Sequence, residues 1–156
     1  MSAKRILLLG VLLGLAVGPG TSEEPTMQMK KMTPVLFVEK IEPCLAFWVD
    51  RLGFQKTVEV PEGDALGFVI LVRDGIEVML QSRASIAKDV PALAAENSRS
   101  FLFVEVSELA PIVERLKGAD IVIPVRKTFY GATEIGVRDP AGNVITFAEF
   151  APQEPK

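Results

Sequence analysis

None of the 156 residues is histidine, which sets the limits on chemistry. The commonest general base at neutral pH and the commonest transition-metal ligand are both missing. Nucleophilic schemes that pair Ser or Cys with an imidazole are closed. The single cysteine, Cys44, cannot make an internal disulfide. It lies on an apolar helical stripe and reads as a buried small hydrophobe, with a reactive thiol as the alternative. Neither a phosphate-binding glycine loop nor a dinucleotide glycine pattern occurs. Lys plus Arg number 17 against 20 Asp plus Glu, without a basic run, so nucleic acid is not expected as a partner. What remains is oxygen chemistry and aromatic surface. Glu39, Glu77 and Glu105 stand in strand-like stretches, where carboxylates either gather around a hard cation or serve as solvated charge.

Those residues need elements to hold them. The most punctuated stretch is Arg138-Asp139-Pro140-Ala141-Gly142-Asn143, followed by the β-branched and aromatic run 144–150. Asp, Pro and Gly at the first, second and fourth positions suit a type I turn, in which Asp caps, Pro presets φ and Gly relaxes the exit. Residues 134–138 read as the partner strand. From the N-terminal side, 33–39 is a strand, and a helix follows with Pro43 in its first turn. Ile41, Cys44, Leu45 and Trp48 form its apolar stripe, and Gly53 stands past its end. Strands are predicted over 54–60, 66–73 and 76–81, with Asp74-Gly75 a tight hairpin signal between the last two. Residues 82–98 read as a loop or linker with at most one helical turn, at 91–96. A strand at 100–106, a helix at 107–117 closed by Gly118 and a strand at 121–125 complete the order.

That order is β-α-β-β-β, linker, β-α-β-β-β, and the halves match in residues as well. Val38, Ile41, Pro43 and Leu45 recur as Val106, Leu109, Pro111 and Val113 at constant spacing. Val72-Arg73-Asp74-Gly75 echoes Val137-Arg138-Asp139-Pro140. An internal duplication of a supersecondary unit is a far more specific signal than one turn. With the Asp-Pro-x-Gly-Asn hairpin it resembles the vicinal oxygen chelate superfamily, which holds glyoxalase I, fosfomycin-resistance enzymes, extradiol dioxygenases and bleomycin-resistance proteins. The resemblance implies an α+β fold in which two βαβββ modules, 33–81 and 100–150, form a half-barrel cup with the helices outside.

Strand parity then divides core from cup. The resemblance puts Thr33, Val35, Phe37 and Glu39 of the first strand in the cup. On the fourth strand Ile76, Val78 and Leu80 read as core, which leaves Glu77, Met79 and Gln81 inside. Phe101, Phe103 and Glu105 line it from the fifth strand, and Val144, Thr146 and Ala148 from the eighth. Metal-dependent members place His, Glu or Gln at four of these positions, which here hold Thr33, Met79 or Gln81, Phe101 and Thr146. Such a set offers too little charge to offset dehydration of a transition-metal ion, so no metal, cofactor or catalytic residue is expected there. The expected ligand-binding set is Val35, Phe37, Glu39, Glu77, Met79, Gln81, Phe101, Phe103, Glu105 and Thr146, with Tyr130 a candidate beside it. The closing hairpin, the vacated ligand positions and the acidic balance are closest in character to the metal-free, bleomycin-resistance-like branch. A homodimer is expected on that ground.

Lys4 and Arg5 precede an apolar run over 6–17, with Gly18 and Gly20 ahead of polar residues. This pattern is that of a secretory signal peptide over 1–20, with an uncleaved anchor as the alternative and the only expected link to a membrane. Residues 21–32 read as a linker and 151–156 as a tail. The leading expectation is thus an exported binder of a small organic molecule in an apolar, acid-rimmed cup. The rim carboxylates favour a cationic ligand unless Arg99, Arg126 and Lys127 reach the mouth. Two alternatives stand beside it: a metal-dependent lyase, isomerase or dioxygenase using displaced carboxylates, and a non-catalytic interaction module.

Overall fold

The computed structural model describes residues 28–152, and its compact unit begins at Met32. The expected leader and residues 21–27 of the expected linker lie outside the described residues, as do residues 153–156 of the tail. The first module runs β1 Val35–Val38, α1 Glu42–Leu45 continuing as a π-helical segment Ala46–Arg51, β2 Gln55–Glu62, β3 Ala65–Arg73 and β4 Ile76–Ser82. Helices α2, Arg83–Asp89, and α3, Pro91–Ala94, connect it to the second. That module runs β5 Phe101–Glu105, α4 Ala110–Arg115, β6 Asp120–Lys127, β7 Ala132–Arg138 and β8 Val144–Phe150. Each module is an open four-stranded mixed sheet, ordered β1-β4-β3-β2 in one and β5-β8-β7-β6 in the other. The identical order, with one parallel pair at the same place in each, is the duplication expressed in hydrogen bonds.

The turns obey their residues. Asp74 and Gly75 both adopt positive φ, 51° and 79°, as a two-residue hairpin of that twist requires. At the closing hairpin Gly142 N–H donates to the Asp139 carbonyl at 3.0 Å. Asp139 Oδ1 accepts the N–H groups of Ala141 and Asn143 at 3.0 and 2.8 Å. Asn143 also reaches outside its own hairpin: its Oδ1 accepts from Ser100 N–H at 2.9 Å, which ties the start of β5 to the turn.

The pairing corrects the register of the second sequence echo. Val35 pairs with Met79 and Phe103 with Thr146, so the spacing that equates Val35 with Phe103 equates Met79 with Thr146. Antiparallel pairing carries the same equivalence to Ile70 and Gly136, and hence to Leu71 and Val137, both fully buried. The Val72–Gly75 echo of Val137–Pro140 is therefore one residue out. The physical reason is hairpin length, since the span from Gly136 to its partner Thr146 is one residue longer than that from Ile70 to Met79.

The core lies between the sheets and their helices and is continuous across both modules, from Leu36, Ile41 and Trp48 to Leu109, Leu116 and Ile145. Trp48 meets Phe47 and Phe54 edge to face, with centroids 5.5 and 5.2 Å away. The π-helical turn lets adjacent Phe47 and Trp48 both point inward; Leu52 N–H reaches back five residues to the Phe47 carbonyl at 3.0 Å. Arg51 crosses between modules and donates to the carbonyls of Arg115 and Lys117 at 2.8 and 2.7 Å, which satisfies the end of α4. Burial pushes the Cys44 thiol up to about 12, with the charges of Asp139 and Glu42 adding to it, so the unreactive reading holds.

Three expectations need correction. The stretch read as a linker contains α2, which starts where Ser82 Oγ accepts from Ser85 N–H at 3.2 Å and which buries Ile86. Its polar residues mask a helix that is held by packing on one side only. Gly67 makes that packing possible, because a Cβ there would stand 2.8 Å from Glu62 Cβ and 3.3 Å from Ser85 Cβ. The helix expected over 107–117 is shorter, Ala110–Arg115. Ile76 was assigned to the core by parity but is 42% exposed, because it opens β4 beside the hairpin tip where no second layer covers it.

Candidate functional site

Away from Ile76 at the start of β4, the parity argument sorts the core side chains of the strands. Leu36 and Val38, Val78 and Leu80, and Ile145 and Phe147 are buried, while their neighbours turn to the other face. On the first sheet that face carries Val35 and Phe37 beside Met79 and Gln81, followed across β3 by Ile70 and Phe68. On the second it carries Phe101, Phe103 and Glu105 beside Val144, Thr146 and Ala148, followed across β7 by Arg138, Gly136 and Glu134. The expected site residues thus share a face within each module, but they do not all behave alike. Glu39 and Glu105 are exposed at strand ends. Glu77 accepts a hydrogen bond from the Thr33 hydroxyl at 3.1 Å. Phe37 lies under the Arg83 guanidinium, 6.0 Å from its centroid, and Gln81 donates to Ser85 Oγ at 3.3 Å. Helix α2 therefore closes one end of the first module's cup face.

The register also settles which β4 residue matches Thr146, one of the positions at which the resemblance would seat a cation. The β4 position is Met79 rather than Gln81, being the structural counterpart of Thr146. Two hydroxyls, a thioether and a phenyl ring then stand where a chelating set would be, and these donors do not fit a divalent ion. Among the described residues, no three His, Cys, Asp or Glu side chains gather closely enough to hold one.

Sequence reasoning missed the most elaborate feature of the cup face. Four aromatic rings follow one another along the second module: Phe103 to Phe150 at 6.4 Å, Phe150 to Tyr130 at 6.2 Å, and Tyr130 to Phe129 at 5.2 Å. At the Tyr130 end stands Glu134, only 2% exposed. Its Oε1 takes the Arg126 guanidinium through Nε at 2.8 Å and Nη2 at 2.7 Å, and its Oε2 accepts from the Tyr130 hydroxyl. The Tyr130 bond holds the Glu134 carboxyl below the usual range, against the desolvation that raises it, and Arg126 adds to the lowering. The same bond pushes the Tyr130 hydroxyl up. The cover over Glu134 is only these two side chains thick, so solvent lies just beyond them. A usable signal was Glu134 itself, a carboxylate at cup parity on β7 between small Ala132 and Gly136.

A cleft of about 470 Å³ opens elsewhere, between the π-helical segment and the closing hairpin, lined by Phe47, Arg51, Asp120, Arg138, Pro140 and Gly142 among others. None of the expected site residues borders it. Its charged walls are occupied with each other: Arg138 Nε pairs with Asp120 at 3.2 Å and Arg51 holds the α4 carbonyls, so it is a seam between modules.

Comparison with known proteins agrees with this geometry. The profile of the Glyoxalase/Bleomycin resistance protein/Dioxygenase superfamily matches residues 31–147. Among solved structures, TioX from Micromonospora sp. ML1 is 22% identical over 79% of this chain and 100% of its own, with a TM-score of 0.66. A glyoxalase/bleomycin resistance protein/dioxygenase from Nocardioides is 23% identical over 85% and 91%, with a TM-score of 0.64. Lactoylglutathione lyase from Agrobacterium tumefaciens is 17% identical over 79% and 95%, with a TM-score of 0.60. No curated protein matches significantly. At these identities the structures speak for the fold, while the profile covers most of the domain. The chain belongs to the glyoxalase/bleomycin resistance protein/dioxygenase superfamily.

Proposed function

We propose that this chain is an exported small-molecule binder that works as a homodimer and holds its ligand without a metal ion. One observation carries the reading: a continuous aromatic row lies on an open sheet face, with Phe101 and Phe103 exposed to 81% and 55%. Contiguous apolar surface on that scale marks a binding face rather than scattered exposure. Covering each ring is worth about 1.5–3 kcal/mol, which favours a partner over solvent. In the dimer a second chain covers this face, and the ligand lies between them. The donor set of Thr33, Met79, Phe101 and Thr146 supports a cup that works through shape and stacking. Export rests on the basic and apolar pattern of the first twenty residues.

Native mass spectrometry of protein recovered from the exported fraction tests all three parts at once. The expected result is a dimer lacking the leader, releasing a small organic molecule on unfolding and carrying no stoichiometric transition metal. A monomer whose oligomeric state and stability are indifferent to Phe101→Glu, or a tightly held metal ion, overturns the reading.

A further inference from the structure

The duplication supplies an internal control on the Glu134 cluster. The equivalence of Met79 with Thr146 makes Glu134, opposite Ala148, the counterpart of Phe68, opposite Gln81. Across the outer strand pair, Arg126 then corresponds to Val60, the partner of Phe68. One fold position is thus filled twice in the same chain, once by an apolar pair and once by a desolvated ion pair with a phenol. The architecture therefore has no need of charge there. An ion pair whose cation stands at the surface contributes only about 0–1 kcal/mol, so stability does not account for it either. Its place does suggest a use: it lies on the cup face, at the end of the aromatic row.

Resting on the reading of this face as a ligand site, we infer that Arg126, Tyr130 and Glu134 form a preset corner that recognises an oxygen acceptor on a flat aromatic ligand, a carboxylate or conjugated carbonyl. Glu134 is the positioning residue. It engages the Nε and Nη2 edge of Arg126, which orients the guanidinium and leaves Nη1 outward, and the Arg126 side chain is 60% exposed. It also takes the Tyr130 proton, which fixes the phenol ring in the row. Arg126 is the contacting group through its outward N–H donors, and Tyr130, whose proton is committed to Glu134, contributes a ring face for stacking. This corner opposes the cation preference suggested by the rim carboxylates, of which Glu39 follows β1 in the other sheet while Glu105 shares the face with Phe103.

Titration calorimetry with anthracene-2-carboxylate and with 2-(aminomethyl)anthracene tests this, since the two share a ring system free of carbonyls and differ in charge. The carboxylate should bind the wild-type protein at least tenfold more tightly. Arg126→Gln should remove that preference. E134F combined with R126V installs the first module's pair; it should fold with an unchanged melting temperature and lose the preference. Equal wild-type affinity for both probes overturns the corner and leaves the cup standing. Failure of both probes to bind overturns the cup and the corner together. A double variant that does not fold shows the ion pair to be architectural and overturns the inference as well.

Discussion

Asn143 is the sharpest place to test how the second module is held together, because one buried side chain ties the closing hairpin to the start of β5. It is 4% exposed, gives Nδ2–H to Asp139 at 3.0 Å and takes the Ser100 N–H at 2.9 Å. Asn143→Ala removes one neutral hydrogen bond, worth about 1 kcal/mol, and one bond to a charged acceptor, worth about 1.5–3 kcal/mol. The expected loss is therefore about 3 kcal/mol, or on the order of 10 °C in melting temperature for a domain of this size. Asn143→Asp separates the two bonds. It keeps the acceptor for Ser100 but turns a carboxylate towards Asp139 in place of a donor. The new carboxyl has its folded pKa raised by that neighbour, so its destabilisation is fullest at neutral pH and shrinks as pH falls into the carboxylate range. Urea unfolding followed through the single buried Trp48 reads both variants across pH. If Asn143→Asp stays within about 0.5 kcal/mol of the wild type from about pH 8 to about pH 5, Asn143 does not tie β5 to the closing hairpin.

Other outcomes follow from packing and charge. A Cβ on Gly136 would meet three Ile123 side-chain atoms at 2.8 Å, so Gly136→Ala should cost about 1–3 kcal/mol, with part recovered when Ile123→Ala is added; an unrelieved double variant would refute the contact. The Trp48 indole N–H is buried with no hydrogen-bond partner. Trp48→Phe should therefore stay within about 1 kcal/mol of the wild type while Trp48→Ala costs about 3–5, as denaturation midpoints will show. Cys44 should resist iodoacetamide at pH near 8 in the native state and react once unfolded, because its thiol is buried with a pKa of about 12; native-state labelling at the unfolded rate would refute its burial. The depressed Glu134 carboxyl keeps its contribution above the usual carboxylate range and loses it as pH falls through the lowered value. Tyr130→Phe should shift that loss to higher pH, as carboxyl NMR titration would register.

Several parts of this protein were decided by neighbours in the chain. Strand alternation sorted Leu36 and Val38 from Val35 and Phe37, and Ile145 and Phe147 from Thr146, because side-chain period in a strand is a local property. The Asp139 and Asp74 turns were legible for the same reason, since φ preferences belong to single residues. The duplication was visible because its repeats share spacing around Pro43 and Pro111.

Tertiary structure decided what depends on partners across the fold. Which of Met79 and Gln81 matches Thr146 depends on parallel register, which no local pattern encodes. Helix α2 is polar on most of its surface and is recognisable only once Gly67 opens a seat for it. The Glu134 corner joins three residues of opposite or neutral character across an irregular β6–β7 pairing, where shifts in register bring Arg126 level with Glu134. Strand parity marks the face that Glu134 occupies but not its burial. Its environment is set by what the paired strand and the hairpin tip bring to it, and those distances exist only once the sheet has formed.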